Sequence, residues 1–240
     1  MDKIFVIADE RCGGSQLGNI FELLSYTRVD DPQNHPTNDK SIYNKKNLIS
    51  NFSYFERYNY MKVCMASFSV REYKKLLSEV NDGSWKFVFL WRKNFLERAM
   101  SKAIAEATGT WHQSQENDKY NSEFKVSTWA ISREIKNNKK KLSSIKNYLS
   151  ESDISFYDLE FSDLYGSHLD TDQRFDYLKQ ALTSISPRLL DVMTIENAES
   201  IKSMLSPRQR LNTNDTYSRI TNINEIIEKF SGVENGIISI

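Results

Sequence analysis

The stretch that most constrains the fold is "IFVIADERCGGSQLGNI", residues 4–20. Residues 3–8, "KIFVIA", are a continuous apolar run rich in Ile, Val and Phe, the pattern of a strand buried on both faces as in a parallel sheet. Beyond Gly13 and Gly14, Leu17, Ile20, Phe21 and Leu24 recur at helical spacing. A buried strand that passes through a glycine pair into an amphipathic helix is the opening unit of an α/β chain.

The alternation continues. "YMKVCMASF" (60–68) reads as a second strand and "VREYKKLLSEV" (70–80) as a helix ending near Asp82 and Gly83. "WKFVFLW" (85–91) reads as a third strand, running through Arg92 into the helix "NFLERAMSKAIAEATG" (94–109), closed by Gly109. A long basic amphipathic helix is expected from Phe124 to Leu149, with Trp129, Ile135, Leu142, Ile145 and Leu149 as its apolar positions and "KNNKKKLSSIK" as a solvated face. "ISFYDLEF" (154–161) is a fourth strand and "DQRFDYLKQALTSI" (172–185) a further helix. The tail joins a polar, basic loop, "PRQRLNTNDTYSR", to a short helix, "NEIIEKF". Residues 28–51, with two prolines and many Asn and Asp, read as a long irregular excursion of the kind that forms a functional wall. The expected architecture is α/β: one domain over residues 1–240, with a central parallel β-sheet flanked by helices.

Lys plus Arg and Asp plus Glu both number 32, so no global basic field points to nucleic acid or an anionic membrane, and any anion site must be local. No apolar run approaches the roughly 18 residues of a membrane span, and "MDKIFVIADER" is too short in apolar residues for a signal peptide. A soluble, cytoplasmic protein is the default expectation, with no membrane span and no nucleic-acid partner. Cys12 and Cys64, the only two cysteines, support neither a disulfide framework nor a zinc site. Oligomeric state is left open, a dimer included.

In a parallel α/β sheet, ligands bind beyond the carboxyl ends of the strands, where residues 11–15 would lie. Backbone N–H groups and the positive end of a helix dipole favour an anion there, and Arg11 adds a full charge with a bidentate fork. The same residues also suit a tight turn with an N-cap serine, and both readings stand. A nucleotide-triphosphatase loop requires Lys followed by Ser or Thr after its second glycine, whereas Gly14 precedes Ser15 and Gln16. A dinucleotide fingerprint requires G-x-G-x-x-G, which Gly13, Gly14 and Gly18 do not supply.

"RCGGSQL" resembles the 5'-phosphosulfate loop of the sulfotransferases that use 3'-phosphoadenosine 5'-phosphosulfate (PAPS), whose bacterial carbohydrate branch reads R-S-G-S-T-x-L. Arg11, Gly13, Ser15 and Leu17 stand at or next to the matching places, while Cys12 and Gly14 replace serines. "FVFLWRKNFLERAMSKAIAEATGTWH" is similar to the family segment in which a strand ends in Arg, an Asn or Asp follows, and a Ser sits about two turns into the next helix. Arg92, Asn94 and Ser101 fit, and "ATGTWH" looks like the T-G-x-W-H ending of trehalose sulfotransferase-like and nodulation sulfotransferase-like proteins. "ISFYDLEFSDL" resembles the strand and Y-E-D-L turn of the family, with Phe161 and Ser162 in place of the tyrosine and glutamate. "RQRLNTNDTYSRITNINEI" looks like the basic loop before a final N-x-x-E helix, matched by Asn222 and Glu225.

The resemblance runs from Phe5 to Ile226 and implies a P-loop-like sulfotransferase fold. It implies PAPS as co-substrate, a carbohydrate or glycolipid hydroxyl as acceptor, in-line displacement, and no metal. Arg11 with Cys12, Gly13, Gly14, Ser15 and Gln16 would hold the 5'-phosphate and sulfonate. Ser101 and either Arg92 or Lys93 would hold the 3'-phosphate, with Arg208 and Arg210 closing over it. In carbohydrate-type relatives the base is often a Glu before Pro; Asp31 before Pro32 takes that place, ahead of Asp30 and His35, although Asp-Pro is also a common turn. Lys62 matches a lysine on the second strand of relatives and would face the sulfonate, or simply snorkel to water. Trp111 and His112 would line the acceptor or adenine pocket, unless Trp111 is a core residue at a helix end. The rival functions are a non-catalytic nucleotide- or glycan-binding relative and a small nucleotide-dependent kinase.

Overall fold

The apolar run at residues 3–8 becomes the middle strand of a five-stranded, all-parallel sheet in the computed structural model, which describes residues 2–30, 57–111, 118–166, 168–206 and 214–238. The strands are β1 (Lys3–Ala8), β2 (Arg28–Asp30), β3 (Tyr60–Cys64), β4 (Trp85–Trp91) and β5 (Phe156–Glu160), in the order β2-β3-β1-β4-β5. Ile4 faces Tyr60 on one side of β1 and Lys86 on the other. Because parallel sheets are covered on both faces, Ile4, Phe5, Val6 and Ile7 are all fully buried, which is why the run shows no alternation.

The helices are α1 (Gly14–Leu23), α2 (Val70–Val80), α3 (Phe95–Thr108), α4 (Asp118–Asn121), α5 (Thr128–Glu151), α6 (Phe161–Tyr165), α7 (Thr171–Ile185), α8 (Arg188–Asp191), α9 (Ile195–Leu205), α10 (Asn214–Ser218) and α11 (Ile223–Phe230). The chain divides into two compact units, Met1–Trp91 with Lys141–Pro207, and Arg92–Lys140 with Arg208–Ile240.

The first unit holds the sheet. Ile4, Val6 and Ala8 of β1 share a core with Leu17, Ile20 and Phe21 of α1, Phe175, Leu178 and Leu182 of α7, and Ile201 and Leu205 of α9. Each of the larger side chains contributes about 1.5–3 kcal/mol on burial. Helix α2 starts at a capping box in which Ser69 Oγ accepts from Glu72 N and Glu72 Oε2 accepts from Ser69 N. It buries Tyr73, Leu76, Leu77 and Val80, and the Tyr73 hydroxyl donates to the Val63 carbonyl on β3. Helix α7 begins with a second capping box, Asp170 with Gln173. Its Arg174, 1% exposed, donates to the carbonyls of Leu205 and Gly166, each at 2.7 Å, and so satisfies the ends of α9 and α6.

The second unit is helical. Leu96, Met100 and Ile104 of α3 pack with Ile131 and Ile135 of α5 and with Ile220, Ile226 and Phe230 around α11. Arg98, 2% exposed, pairs with Glu134 at 2.9 Å across this unit, and Lys102 reaches the same carboxylate at 3.2 Å.

Three local expectations shift. The irregular excursion begins with a real strand, β2, only three residues long. The long helix starts at Thr128 because Phe124 is taken up in a bridge with Ile220, and Trp129 is 65% exposed under the Arg133 guanidinium, not a core residue. Helix α9 lies where no element was expected. Among the described residues, no helix is long and apolar enough to cross a membrane.

Candidate functional site

Strand β1 lies between β3 and β4, so the connection that leaves β1 for β2 and β3 builds one half of the sheet while β4 and β5 build the other. The order therefore reverses beside β1, and the crevice such a reversal opens is outside the carboxyl ends of β1 and β4. The loop after β1 occupies that place: Asp9 N donates to the Leu90 carbonyl of β4 at 2.8 Å. Arg11 has φ 61 and Gly13 φ 75, two left-handed residues within three, the kind of backbone from which anion nests are made.

Gly13 is the N-cap of α1 and offers no side-chain cap, and the first helical turn contains no acidic residue. The N–H groups and dipole at this terminus are thus left uncovered by any capping side chain of the helix. Ser15, the N-cap in the simple turn reading, instead lies inside the first turn. Gly13 O accepts from Leu17 N at 2.9 Å, closing that turn.

Each glycine of the pair is closely approached by a neighbour. A Cβ on Gly13 would stand 2.6 Å from Tyr165 Cε2, and one on Gly14 would stand 3.0 Å from Lys62 Cδ and 3.2 Å from Ala8 Cβ. A serine at position 14 would therefore compete with the Lys62 stem for the same space. Lys62 is 7% exposed, with its Nζ 3.4 Å from Asp30 Oδ2, so it does not snorkel to water. Asp30 also accepts from Arg28, at 2.9 Å from Nε to Oδ1 and a second bond from Nη2. Arg28 in turn pairs with Glu22 at 3.0 Å, and Gly18 makes room for its guanidinium against α1. Both oxygens of Asp30 are thus engaged by cations of the protein itself.

Two loop side chains point to other work. Cys12 is fully buried in the apolar core of the first unit, its Sγ 3.4 Å from the Glu10 carbonyl, and Gln16 donates through Nε2 to the Met204 carbonyl of α9. Both are therefore engaged by the protein through their side chains.

In the second unit, Arg92 is 6% exposed and paired with Glu97, whereas Lys93 is exposed. Asn94 Oδ1 caps α3 by accepting from Glu97 N at 3.0 Å, and its Nδ2 donates to Ile237 O at 2.8 Å. Ser101, 7% exposed, lies one turn beyond Glu97 on α3, so the two share a helix face. Burial pushes the Glu134 carboxyl up, but Arg98 and then Lys102 beside it outweigh burial and hold it below the usual range. Trp111 is 38% exposed.

Glu97, Tyr165 and the pairing of Arg28 with Asp30 escaped the sequence reading, in which Asp30 stood only as a second candidate base. Glu97 was signalled only by its spacing from Arg92, and Arg28-x-Asp30 only by adjacent charges in a segment that looked irregular. Asp31, His35, His112, Arg208 and Arg210 lie outside the described residues. Among the described residues, no group of three or more His, Cys, Asp or Glu is placed to hold a metal ion. Compared with protein-family models and with curated proteins, the sequence matches none.

Proposed function

We propose that this chain is a PAPS-dependent sulfotransferase that moves a sulfuryl group to a hydroxyl of a carbohydrate or glycolipid. The observation that carries the reading is the loop between β1 and α1: left-handed Arg11 and Gly13 and a helix start without a side-chain cap, at the reversal of strand order. Backbone N–H groups of residues 13–16 and the Arg11 guanidinium hold the 5'-phosphate and sulfonate, and Lys62, buried against Gly14, adds positive charge under the loop. Arg92 and Ser101 are assigned to the 3'-phosphate, with Arg92 preferred to Lys93 because it is the buried member of the pair. Arg208 and Arg210 close over the nucleotide, and Trp111 and His112 line the acceptor or adenine pocket.

In the transfer, the acceptor oxygen attacks sulfur as the bond from sulfur to the phosphate oxygen breaks. The acceptor proton passes to a base, assigned to Asp31 with His35 behind it, and the bisphosphate leaves with the charge that the loop stabilises. A second reading, nucleotide binding without catalysis, draws on Cys12 and Gly14, which leave the loop without two hydroxyls of the family pattern.

Thermal unfolding with 3'-phosphoadenosine 5'-phosphate, against ATP plus magnesium, tests the first step. A native-site ligand at a hundredfold excess over Kd stabilises by about 2.7 kcal/mol, so a clear rise in Tm is expected with the bisphosphate. A rise with ATP alone sinks the proposal. Transfer of labelled sulfate from PAPS to an acceptor in lysate, lost in Arg11→Ala, separates catalysis from binding alone.

A further inference from the structure

Tyr165 is 5% exposed, and among the described residues its hydroxyl has no hydrogen-bond partner. A buried phenol left without a partner costs stability that a phenylalanine would not, so such a group calls for a reason. Its ring packs on Phe161 at 5.1 Å between centroids, which leaves the apolar side satisfied. The other edge faces the loop after β1: Cε2, Cδ2 and Cζ lie 2.6, 3.1 and 3.1 Å from where a Cβ on Gly13 would be. Cζ is the carbon that carries the hydroxyl. The N-cap glycine of α1 thus makes room for the ring edge of a tyrosine contributed by α6, just after β5.

We infer that Tyr165 is an anion-binding residue, donating its hydroxyl to the 5'-phosphate seated on the 11–16 loop. The inference rests on the anion-loop reading proposed above and adds to it a donor from outside the loop. The loop has Cys12 turned into the core and Gly14 filled by the Lys62 stem, so its own side chains supply few hydroxyls. Burial pushes the Tyr165 phenol up, with nearby Arg174 opposing only in part, so the group stays protonated and acts as a donor, never as a base. A hydroxyl donated to a charged oxygen is of the stronger class of hydrogen bond, and its loss is expected to weaken binding by about tenfold.

The test compares Tyr165→Phe with the wild-type chain by calorimetric titration, using 3'-phosphoadenosine 5'-phosphate and adenosine 3'-monophosphate as probes. Tyr165→Phe is expected to lose affinity for the bisphosphate and to bind the 3'-monophosphate, which lacks the 5'-phosphate, as wild type does. A merely structural tyrosine would change both or neither, and either pattern overturns the inference. Unchanged bisphosphate affinity together with a raised Tm identifies an unpaired hydroxyl and nothing more, and leaves the loop reading standing. If wild type binds no bisphosphate, the loop reading itself falls and this inference with it. Should Tyr165→Phe fail to fold, the wild-type Tyr165 hydroxyl proton, followed by NMR, decides: a downfield move on bisphosphate binding supports the contact, and an unmoved resonance overturns it.

Discussion

Replacing Gly13 with alanine imposes two separable costs. The first is backbone: φ 75 is left-handed, which costs a residue with a Cβ about 1–2 kcal/mol, less the smaller gain from a stiffer unfolded chain. The second is steric, since the new Cβ would stand 2.6 Å from Tyr165 Cε2, well inside the roughly 3.5–4.0 Å of a good carbon contact. Tyr165 is buried and packed on Phe161, so relief requires displacing the ring or the loop, an overpacking cost of about 1–3 kcal/mol. Gly83→Ala is the control: φ 82, with nothing within 4 Å of its Cβ position, so it carries the backbone cost alone. Urea unfolding of both variants, at unchanged m-value, should therefore give Gly13→Ala an excess loss of about 1–3 kcal/mol over Gly83→Ala. Equal losses would refute the claim that the loop is seated on Tyr165.

Three further outcomes are expected. Glu134→Gln should cost about 1–3 kcal/mol at neutral pH, because Arg98 keeps its charge at 2% exposure. The Glu134 carboxyl is held below its ordinary value in the folded chain, so its stabilisation is present above about pH 4 and is lost as pH falls through the folded value. The wild-type Tm should then drop more steeply than that of Glu134→Gln between pH 5 and 3, and parallel curves would exclude the ion pair as a stabiliser. Arg174→Met should lower the urea-derived stability by about 2–4 kcal/mol, since two helix-end carbonyls lose a charged donor; a negligible loss would contradict the capping role. Glu97→Gln should tighten binding of 3'-phosphoadenosine 5'-phosphate by about three- to tenfold by removing a like charge beside Arg92. Unchanged or weaker calorimetric affinity would count against Arg92 as the 3'-phosphate holder.

Where the sequence was legible, one physical rule governed the residues concerned. Residues 3–8 and 85–91 could be read as buried strands because a two-face burial demands unbroken apolar side chains, and Tyr73, Leu76, Leu77 and Val80 could be read as a helix face because their spacing is that of one. Strand β2 was hidden because Arg28 pairs with Asp30 and Asp30 also with Lys62, a pattern of charges that carries no strand periodicity. Helix α9 was hidden because only Ile201 and Leu205 are fully buried while Ile195 is 87% exposed. The loop glycines were visible, but what they accommodate was not. Tyr165 and the Lys62 stem reach them from α6 and β3 respectively, and which strands are neighbours is a property of the strand order, not of the local sequence.

The same strand order has a consequence for how the chain is made. Ile4 pairs first with Tyr60, 56 residues later in the chain, and Lys3 with Trp85. At about 5–20 residues per second of synthesis, the core strand waits roughly 3–10 s before its first neighbour, β3, begins. During that interval a fully apolar segment with two unpaired edges is exposed, an invitation to pair with another nascent chain. The charged residues that flank it, Lys3, Asp9, Glu10 and Arg11, are well placed to act as gatekeepers over that period, a duty distinct from any they have in the finished protein.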